Sequence, residues 1–423
     1  MKNIKKIKLE NGVRAIFVPQ KSTKVATVLI LVKTGSKNEE KKISGISHFL
    51  EHMLFKGTKK RKTPLKVAED LDKVGGVYNA FTGEDYTGYY AKVKSSHIDL
   101  AVDWVSDIYL NSVLPSEEVE KEKGVIKEEI NMYYDNPITY CQLLFQKLLY
   151  GDQPAGWDIA GTKESVSRIS REDLLKYRDD YYIGEGTVVV ISGNINQKET
   201  EKKIREIFSS VKSGSLKEKE PVVENQSKPE LLNFYKKTDQ THFCLGIRAF
   251  NIFHENRYTQ EILAALLGGM MSSRLFIKIR DELGLAYYIR TSIDSNPDTG
   301  VLVTQAGVDN KKIEKAISAI LKEYKSLKEN KISAKELIKT KEYLKGKAAI
   351  YFEGSDAMGR FYGMTELLEN ETYSIEEVFS QIDKVTAKDV QDLAKTIFKK
   401  ENLNLAVVGP VKEDKELQKL LKI

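Results

Sequence analysis

Two histidines and a glutamate stand close together in the segment His48-Phe49-Leu50-Glu51-His52. Residues four apart on an α-helix lie on the same face, so both imidazoles would project from one side. Two neutral imidazoles at this spacing can share a metal ion such as zinc. A carboxylate beside them can take a proton from a water molecule without being a ligand. The segment therefore predicts a metal centre with hydrolytic chemistry.

The alternative interpretation of this segment is an ordinary solvated helix face. Random placement of the five histidines in the chain would produce the spacing only about 0.01 times, which favours the metal centre. Ser44 is the predicted cap at the start of the helix, and Gly57 is its predicted end. The opposite face is predicted to be apolar at i, i+3, i+4, i+7 and i+8, which are Ile46, Phe49, Leu50, Met53 and Leu54.

A catalytic zinc usually has three protein ligands, so the segment needs a third. The acidic stretch from Ser116 to about Tyr134 has helical periodicity, and Glu122 and Glu129 lie along the edge of its apolar stripe. A carboxylate there is costly unless it is paired or bound to a metal. The residues alone leave both glutamates as candidates, and also leave open that both simply pair with nearby lysines.

The elements that would position these groups fall into two similar halves. A polar, turn-rich segment at 213–230 separates residues 1–212 from 231–423. The phrase at 169–174 matches 385–390, and the phrase at 188–193 matches 404–409, both with an offset of 216 positions. Equal offsets indicate a duplicated domain. The mixed strand and helix patterns predict an α+β fold with largely antiparallel sheets.

Composition excludes several classes of function. The chain of 423 residues is 41% hydrophobic and 30% charged, with a net charge of +6 and no clustered basic stripe. Nucleic-acid binding is therefore not expected. The apolar run at 25–32 is too short to cross a membrane and predicts a buried strand. The only cysteines are Cys141 and Cys244, so no disulfide framework is expected. A reducing compartment fits this composition, and we expect a cytoplasmic protein.

The sequence resembles the inverted-motif zinc peptidases, which include pitrilysin, insulin-degrading enzyme and mitochondrial processing peptidase. The phrase from Gly45 to Thr58 carries the resemblance, together with the 76 residues between His52 and Glu129. This resemblance implies that Glu129 completes the zinc site and that Glu122, seven residues earlier, supports it. It also implies one zinc ion per chain.

Two further stretches resemble the same family. The segment 75–82 is similar to a strand that lies along the substrate, which implies substrate binding at Asn79 and Ala80 by edge pairing. The segment 280–287 is similar to one that the second domain contributes to the cleft. The resemblance implies that Arg280 holds the peptide and that Tyr287 donates a hydrogen bond to the oxyanion.

The resemblance implies a short, two-domain, bacterial-type peptidase in which a catalytic zinc-binding domain and a homologous domain form a clamshell. Aligning the halves places Gln260, Leu263, Ala264 and Gly346 at the metal positions. The second half is thus expected to bind substrate and close the cleft. Peptides are the expected partners, with neither nucleic acid nor membrane, and pairing into a homodimer is an expectation of this branch.

Two other functions compete with a zinc endopeptidase in which Glu51 is the general base. Some relatives have lost their metal residues and act as catalytically silent scaffold or partner subunits. The complete set of ligands, base and Arg280–Tyr287 segment argues against this function. A small-molecule lyase can use the same inverted motif, but such proteins are short single domains, unlike this repeated chain.

Overall fold

The computed structural model describes residues 4–412 and 414–423. Its strands are β1 (Lys5–Lys8), β2 (Arg14–Pro19), β3 (Val25–Val32), β4 (Val77–Thr82), β5 (Thr87–Lys94), β6 (Thr187–Gly193), β7 (Glu230–Tyr235), β8 (Gln240–Ala249), β9 (Ala286–Ser295), β10 (Gly300–Asp309) and β11 (Leu403–Gly409). Its α-helices are α1 (Ile46–Met53), α2 (Pro64–Asp72), α3 (Ile98–Asn111), α4 (Ser116–Asp135), α5 (Pro137–Tyr150), α6 (Lys163–Arg168), α7 (Arg171–Tyr181), α8 (Gln197–Phe208), α9 (Arg257–Ala264), α10 (Ile313–Glu329), α11 (Ala334–Tyr351), α12 (Ser355–Glu369), α13 (Ile375–Lys384), α14 (Ala387–Ile397) and α15 (Asp414–Leu420).

The two sheets have the same topology. The first has the order β1-β2-β6-β3-β5-β4, and the second has the order β7-β11-β8-β10-β9. In each sheet one pair is parallel, β2 with β6 and β7 with β11, and the other pairs are antiparallel. Among the described residues, β1 is the only strand of the first sheet without a counterpart in the second. The predicted α+β fold with two homologous, largely antiparallel domains is confirmed.

The repeated phrases of the sequence form equivalent elements. Ser170 and Thr386 each cap a helix through a reciprocal pair of bonds with an aspartate three residues later. The glycine-ended strands β6 and β11 occupy equivalent positions in the two sheets, each between two other strands. All residues of both strands are buried. The strand β3 begins and ends as predicted from its apolar run.

Two helices pack in a different domain from the one that their position in the sequence predicts. The first compact unit comprises Met1–Ile130, Trp157–Glu220 and Ala349–Ser374, and the second comprises Asn131–Gly156, Pro221–Ala348 and Ile375–Ile423. Helix α5, from the first half of the sequence, therefore packs on the second sheet. Helix α12, from the second half, packs on the first sheet. Each sheet is covered on one face by a helix from the other half.

Small residues let α12 lie close to the first sheet. A Cβ at Gly363 would lie 2.6 Å from Leu31 Cδ1 and 2.9 Å from Val190 Cγ2. The same helix carries the buried Glu366, which accepts from Arg14 Nη1 at 3.2 Å and pairs with Lys6 Nζ at 2.5 Å. Close packing and a buried ion pair thus fix this helix on the sheet.

We expect opposite stability effects from Gly→Ala changes in two helices. Gly363→Ala should lower the free energy of unfolding by about 1–3 kcal/mol, because the added methyl group overpacks a filled interface. Gly346→Ala on α11 should raise it by about 0.5–1 kcal/mol, since no atom lies within 4 Å of the new Cβ and alanine favours a helix interior. Urea denaturation of both variants measures the difference, and a neutral Gly363→Ala would contradict the close packing.

The motif helix α1 belongs to the core of the first unit. Its predicted apolar stripe is fully buried and packs with residues of the first sheet and of helices α3 and α7. Among the described residues, no helix is long and apolar enough to cross a membrane.

Candidate metal centre

The structure corrects the predicted ends of the motif helix. Gly45, not Ser44, is the N-cap residue, in a left-handed conformation with φ of +93°. Ser44 cannot cap because it lies one residue further out, where its carbonyl accepts from Ser165 Oγ at 2.7 Å. The helix ends at Met53, short of the predicted end at Gly57.

The three predicted metal ligands lie together. His48 Nε2 and His52 Nε2 are 3.2 Å apart, and Glu129 Oε2 lies 3.6 Å from each of them. Helix α1 supplies the two imidazoles one turn apart, and α4 brings the carboxylate to the same point. In the described part of the chain, these residues form the single group of three or more side chains suited to hold a metal ion.

Glu122 contacts His52 on the side away from the other ligands. Its Oε1 lies 2.8 Å from His52 Nδ1, and its Oε2 lies 2.7 Å from Lys56 Nζ. Burial opposes ionisation of Glu122, but the bonds from His52 and Lys56 outweigh it, so its pKa is lowered. Because a carboxylate only accepts, His52 Nδ1 carries the proton and Nε2 keeps a free lone pair. Glu122 thus orients a predicted ligand.

His48 is neutral at neutral pH. Burial, and then the neighbouring His52, lower its pKa to about 4. Its Nδ1 is buried without a hydrogen-bond partner among the described residues, so no hydrogen bond at that atom fixes its tautomer. The lone pairs of His52 Nε2 and Glu129 Oε2 both face His48 Nε2. This close approach of acceptor atoms is unfavourable unless a proton or a cation lies between them. This donor set of two nitrogens and one carboxylate oxygen fits zinc.

Glu51 lies beside the ligand group but is not part of it. Its Oε2 accepts a hydrogen bond from Thr82 Oγ1 at 2.5 Å, which joins α1 to the end of β4. Burial raises the pKa of Glu51, against the opposing effects of Thr82 and His52. A raised pKa brings a carboxylate closer to the range in which a general base works at neutral pH.

The residues predicted to bind substrate lie on β4, which ends the first sheet. Asn79 and Ala80 pair with Tyr90 and Tyr89 on β5. Asn79 Oδ1 accepts a hydrogen bond from the backbone N–H of Ala80 at 2.8 Å. A peptide strand adding to this edge would compete with the Asn79 side chain for that N–H group.

Arg280 and Tyr287 lie in the second unit. Arg280 is part of a π-helical segment, Phe276–Glu282, and its guanidinium lies 4.7 Å from the centre of the Phe276 ring. Tyr287 follows on the edge strand β9, and its side chain is 74% exposed. Their predicted roles toward substrate remain proposals.

Two contacts of the site were not predicted from the sequence. Thr82 falls within the segment that resembles a substrate-binding strand, but nothing in its spacing links it to Glu51. Lys56 lies four residues after His52 and beyond the end of α1 at Met53, so helical periodicity does not place it. No partner could be assigned to it before Glu122 was placed.

Comparison with known proteins places this geometry in a family. The profile described as "Insulinase (Peptidase family M16)" matches residues 15–163, and the profile "Peptidase M16 inactive domain" matches residues 168–344. The chain is 34% identical to the uncharacterized zinc protease YmxG of Bacillus subtilis over 410 residues, which are 96% of this chain and 98% of that protein. This chain belongs to peptidase family M16. It is also 34% identical to the uncharacterized zinc protease ML0855 of Mycobacterium leprae, with 98% of this chain and 94% of that protein covered.

Solved structures show the same M16 fold at lower identity. A protease from Helicobacter pylori is similar with a TM-score of 0.90 and 24% identity, over 96% of this chain and 99% of that one. A chain of Complex III2 from Candida albicans is similar with a TM-score of 0.86 and 18% identity, over the full length of both. The family profiles and the curated relatives confirm the predicted resemblance to the zinc peptidases.

The second repeat of this M16 chain has structural residues where the first has ligands. Gln260 is buried, and its Nε2 donates to Phe250 O at 3.0 Å and Ser295 Oγ at 2.8 Å. Leu263 and Ala264 belong to the core of the second unit. In the second repeat, the positions aligned with the inverted motif therefore have structural roles. Gln260 joins its helix to Ser295 of β9, and Leu263 and Ala264 fill the core.

Proposed function

We propose that this chain is a zinc-dependent metalloendopeptidase that hydrolyses peptides or unfolded segments. The convergence of His48 Nε2, His52 Nε2 and Glu129 Oε2 at one point, with Glu51 beside them, carries this proposal. Family membership and the names of the relatives support the coarser activity, a zinc protease.

Each side chain has a distinct role in the proposed reaction. His48, His52 and Glu129 would hold zinc, which supplies Lewis acidity and lowers the pKa of water toward roughly 7. Glu51 takes a proton from the attacking water and passes it to the leaving amine. Glu122 keeps His52 in the tautomer that leaves Nε2 unprotonated.

Substrate binding is proposed to use the edge of β4. The backbone of Asn79 and Ala80 pairs with the peptide, so recognition depends on an extended backbone more than on particular side chains. Thr82, three residues beyond Asn79, contacts Glu51, which connects this edge to the proposed base. We propose that Arg280 holds the peptide and that Tyr287 donates to the oxygen of the carbonyl under attack.

Metal analysis of the purified protein, combined with quenched fluorescent peptides, tests the proposed function. We expect about one zinc ion per chain, loss of cleavage with a chelator, and recovery on adding zinc. Cleavage that survives complete removal of metal would refute the mechanism. Zinc binding without cleavage of any peptide would refute the endopeptidase.

The two glutamates of α4 should differ in their effect on zinc. Glu129→Gln removes a proposed ligand and should weaken zinc binding more than Glu122→Gln, which leaves the proposed ligands in place and alters the contacts to His52 and Lys56. For Glu122→Gln we expect a loss of zinc affinity or activity of about 10–100-fold. Competition with a chromogenic chelator measures both dissociation constants. The reverse order would show that the third ligand is Glu122.

A catalytically silent partner subunit is the second candidate. The match of residues 168–344 to the profile "Peptidase M16 inactive domain" and the likeness to a chain of Complex III2 favour it. The intact donor set of the first unit favours the enzyme. Stable peptide or protein binding without turnover, in the presence of bound zinc, would support the silent subunit.

A further inference from the structure

A buried carboxylate lies at the start of the motif helix. Glu39 is 5% exposed, and its Oε2 accepts from the backbone N–H of Gly45 at 2.6 Å. Its Oε1 accepts from the backbone N–H of Ser47 at 2.8 Å. The first N–H groups of a helix have no partner within the helix. Glu39 therefore provides the capping hydrogen bonds of α1, which Gly45 cannot provide because it has no side chain.

Further contacts fix the N-terminal end of α1. Tyr177 Oη lies 2.7 Å from Ser47 Oγ and 2.6 Å from Thr34 Oγ1, so a buried polar network connects the helix to the segment that follows β3. A Cβ at Gly45 would lie 2.6 Å from Ala160 O. The backbone around Ala160 thus packs directly against the chain where the helix begins, and Gly45 has no room to move.

The position of this cap matters for the metal centre because α1 is short. The helix has eight residues, and His48 is the third of them, next to Ser47, whose N–H group Glu39 binds. In the described part of the chain, no group forms a hydrogen bond with His48 Nδ1, whereas His52 Nδ1 is bound by Glu122. The orientation of the His48 ring therefore depends on the backbone that carries it.

We propose that Glu39 is a positioning residue of the metal centre, which fixes the first turn of α1 and thereby directs His48 toward the metal. This inference rests on the proposed metal centre and assigns a role to a residue outside the inverted motif and outside α4. Glu39 does not touch the metal or the substrate in this role. It acts through the backbone of Gly45 and Ser47.

Glu39→Gln is the most informative substitution. Both carboxyl oxygens accept from backbone N–H groups, so either orientation of the amide places its NH2 group against an N–H donor. Burial raises the pKa of Glu39 to about 8, against the bonds from Ser47 and Gly45. Even a protonated carboxyl keeps acceptor capacity on both oxygens, which an amide nitrogen lacks. The variant therefore breaks one bond in either protonation state.

Chelator competition on metal-free protein measures whether zinc binding changes. We expect Glu39→Gln to raise the zinc dissociation constant by about 10–100-fold, as for other groups that orient ligands. The measurement is made well below the Tm of the variant. Glu366→Gln is the matched control, because Glu366 is an equally buried carboxylate of the same unit that pairs with Arg14 and Lys6. It should lower Tm and leave zinc affinity unchanged.

Several outcomes would overturn the proposal. One is a Glu39→Gln variant with a lowered Tm but the zinc affinity of the wild-type protein. Another is a loss of zinc affinity in Glu366→Gln equal to the loss in Glu39→Gln. If Glu39→Gln does not fold, Glu39→Asp, whose shorter side chain cannot reach both N–H groups, takes its place. Hydrogen exchange of the wild-type protein is independent of variants: rapid exchange of the Gly45 and Ser47 amides would refute the cap. A wild-type protein that binds no zinc but protects these amides would refute the proposed function instead.

Discussion

Glu51→Gln is expected to lower the rate of peptide cleavage by about 100- to 10,000-fold, the usual contribution of a general base. The zinc content should stay near that of the wild-type protein. Glutamine keeps the size of the side chain and can still accept from Thr82, but it cannot take a proton from water. Cleavage of a quenched fluorescent peptide and metal analysis on the same sample measure both quantities.

The structure separates the proposed base from the proposed ligands. The ligand group consists of His48, His52 and Glu129, and Glu51 is held by Thr82 instead. Burial raises the pKa of Glu51, which increases its affinity for the proton it must accept. If Glu51 were a ligand, the protein would lose zinc when glutamine replaces it. If Glu51 only lies beside the metal, the zinc content would not change.

Glu128→Gln is a suitable control for this prediction. It makes the same chemical change at an exposed position of α4, next to Glu129 in sequence, and should leave cleavage and zinc content unchanged. Joint loss of zinc and activity in Glu51→Gln would assign Glu51 to the ligand set. Retained activity would require another base.

The positions of the proposed metal ligands were accessible from the sequence because helical geometry is regular. Residues 48 and 52 must share a face of any helix that contains them, and the apolar stripe of the same helix fixes which face is buried. Periodicity on α4 then left Glu122 and Glu129, and only the family spacing separated them. The structure brings Glu129 to the imidazoles and Glu122 to the far side of His52.

The packing of α5 and α12 on the sheet of the other sequence half could not be inferred in the same way. An amphipathic pattern states that one face of a helix is buried, but not which sheet covers it. The close approach of Gly363 to Leu31 and the pairing of Glu366 with Arg14 join residues more than 300 positions apart. No local signal specifies such pairs.

The cap of α1 was missed for a related reason. Sequence rules look for a capping side chain at the residue just before the helix, and Ser44 was the nearest candidate. Gly45 takes the N-cap position because the chain there adopts a positive φ against the backbone of Ala160. The capping function passes to Glu39, six residues before Gly45, at a distance that local rules do not cover.

Tyr287→Phe is expected to lower kcat by about 100- to 1,000-fold, the cost of removing one donor to an oxyanion. Zinc content and Tm should hardly change. Tyr287 is not a core residue of its strand, because it is 74% exposed on the edge strand β9. An exposed hydroxyl without a structural role is free to act on a substrate, and its removal leaves the fold intact.

Tyr235→Phe provides a matched control, since Tyr235 is also in the second unit and is 53% exposed. Equal effects of the two variants would indicate a general property of exposed tyrosines. A normal kcat for Tyr287→Phe would refute the proposed donor. A reduced kcat with an unchanged KM is the expected result, because the hydrogen bond forms as charge develops on the oxygen and contributes little to substrate binding. Such a result would assign a catalytic contribution to a unit whose described residues carry no metal-ligand group of their own.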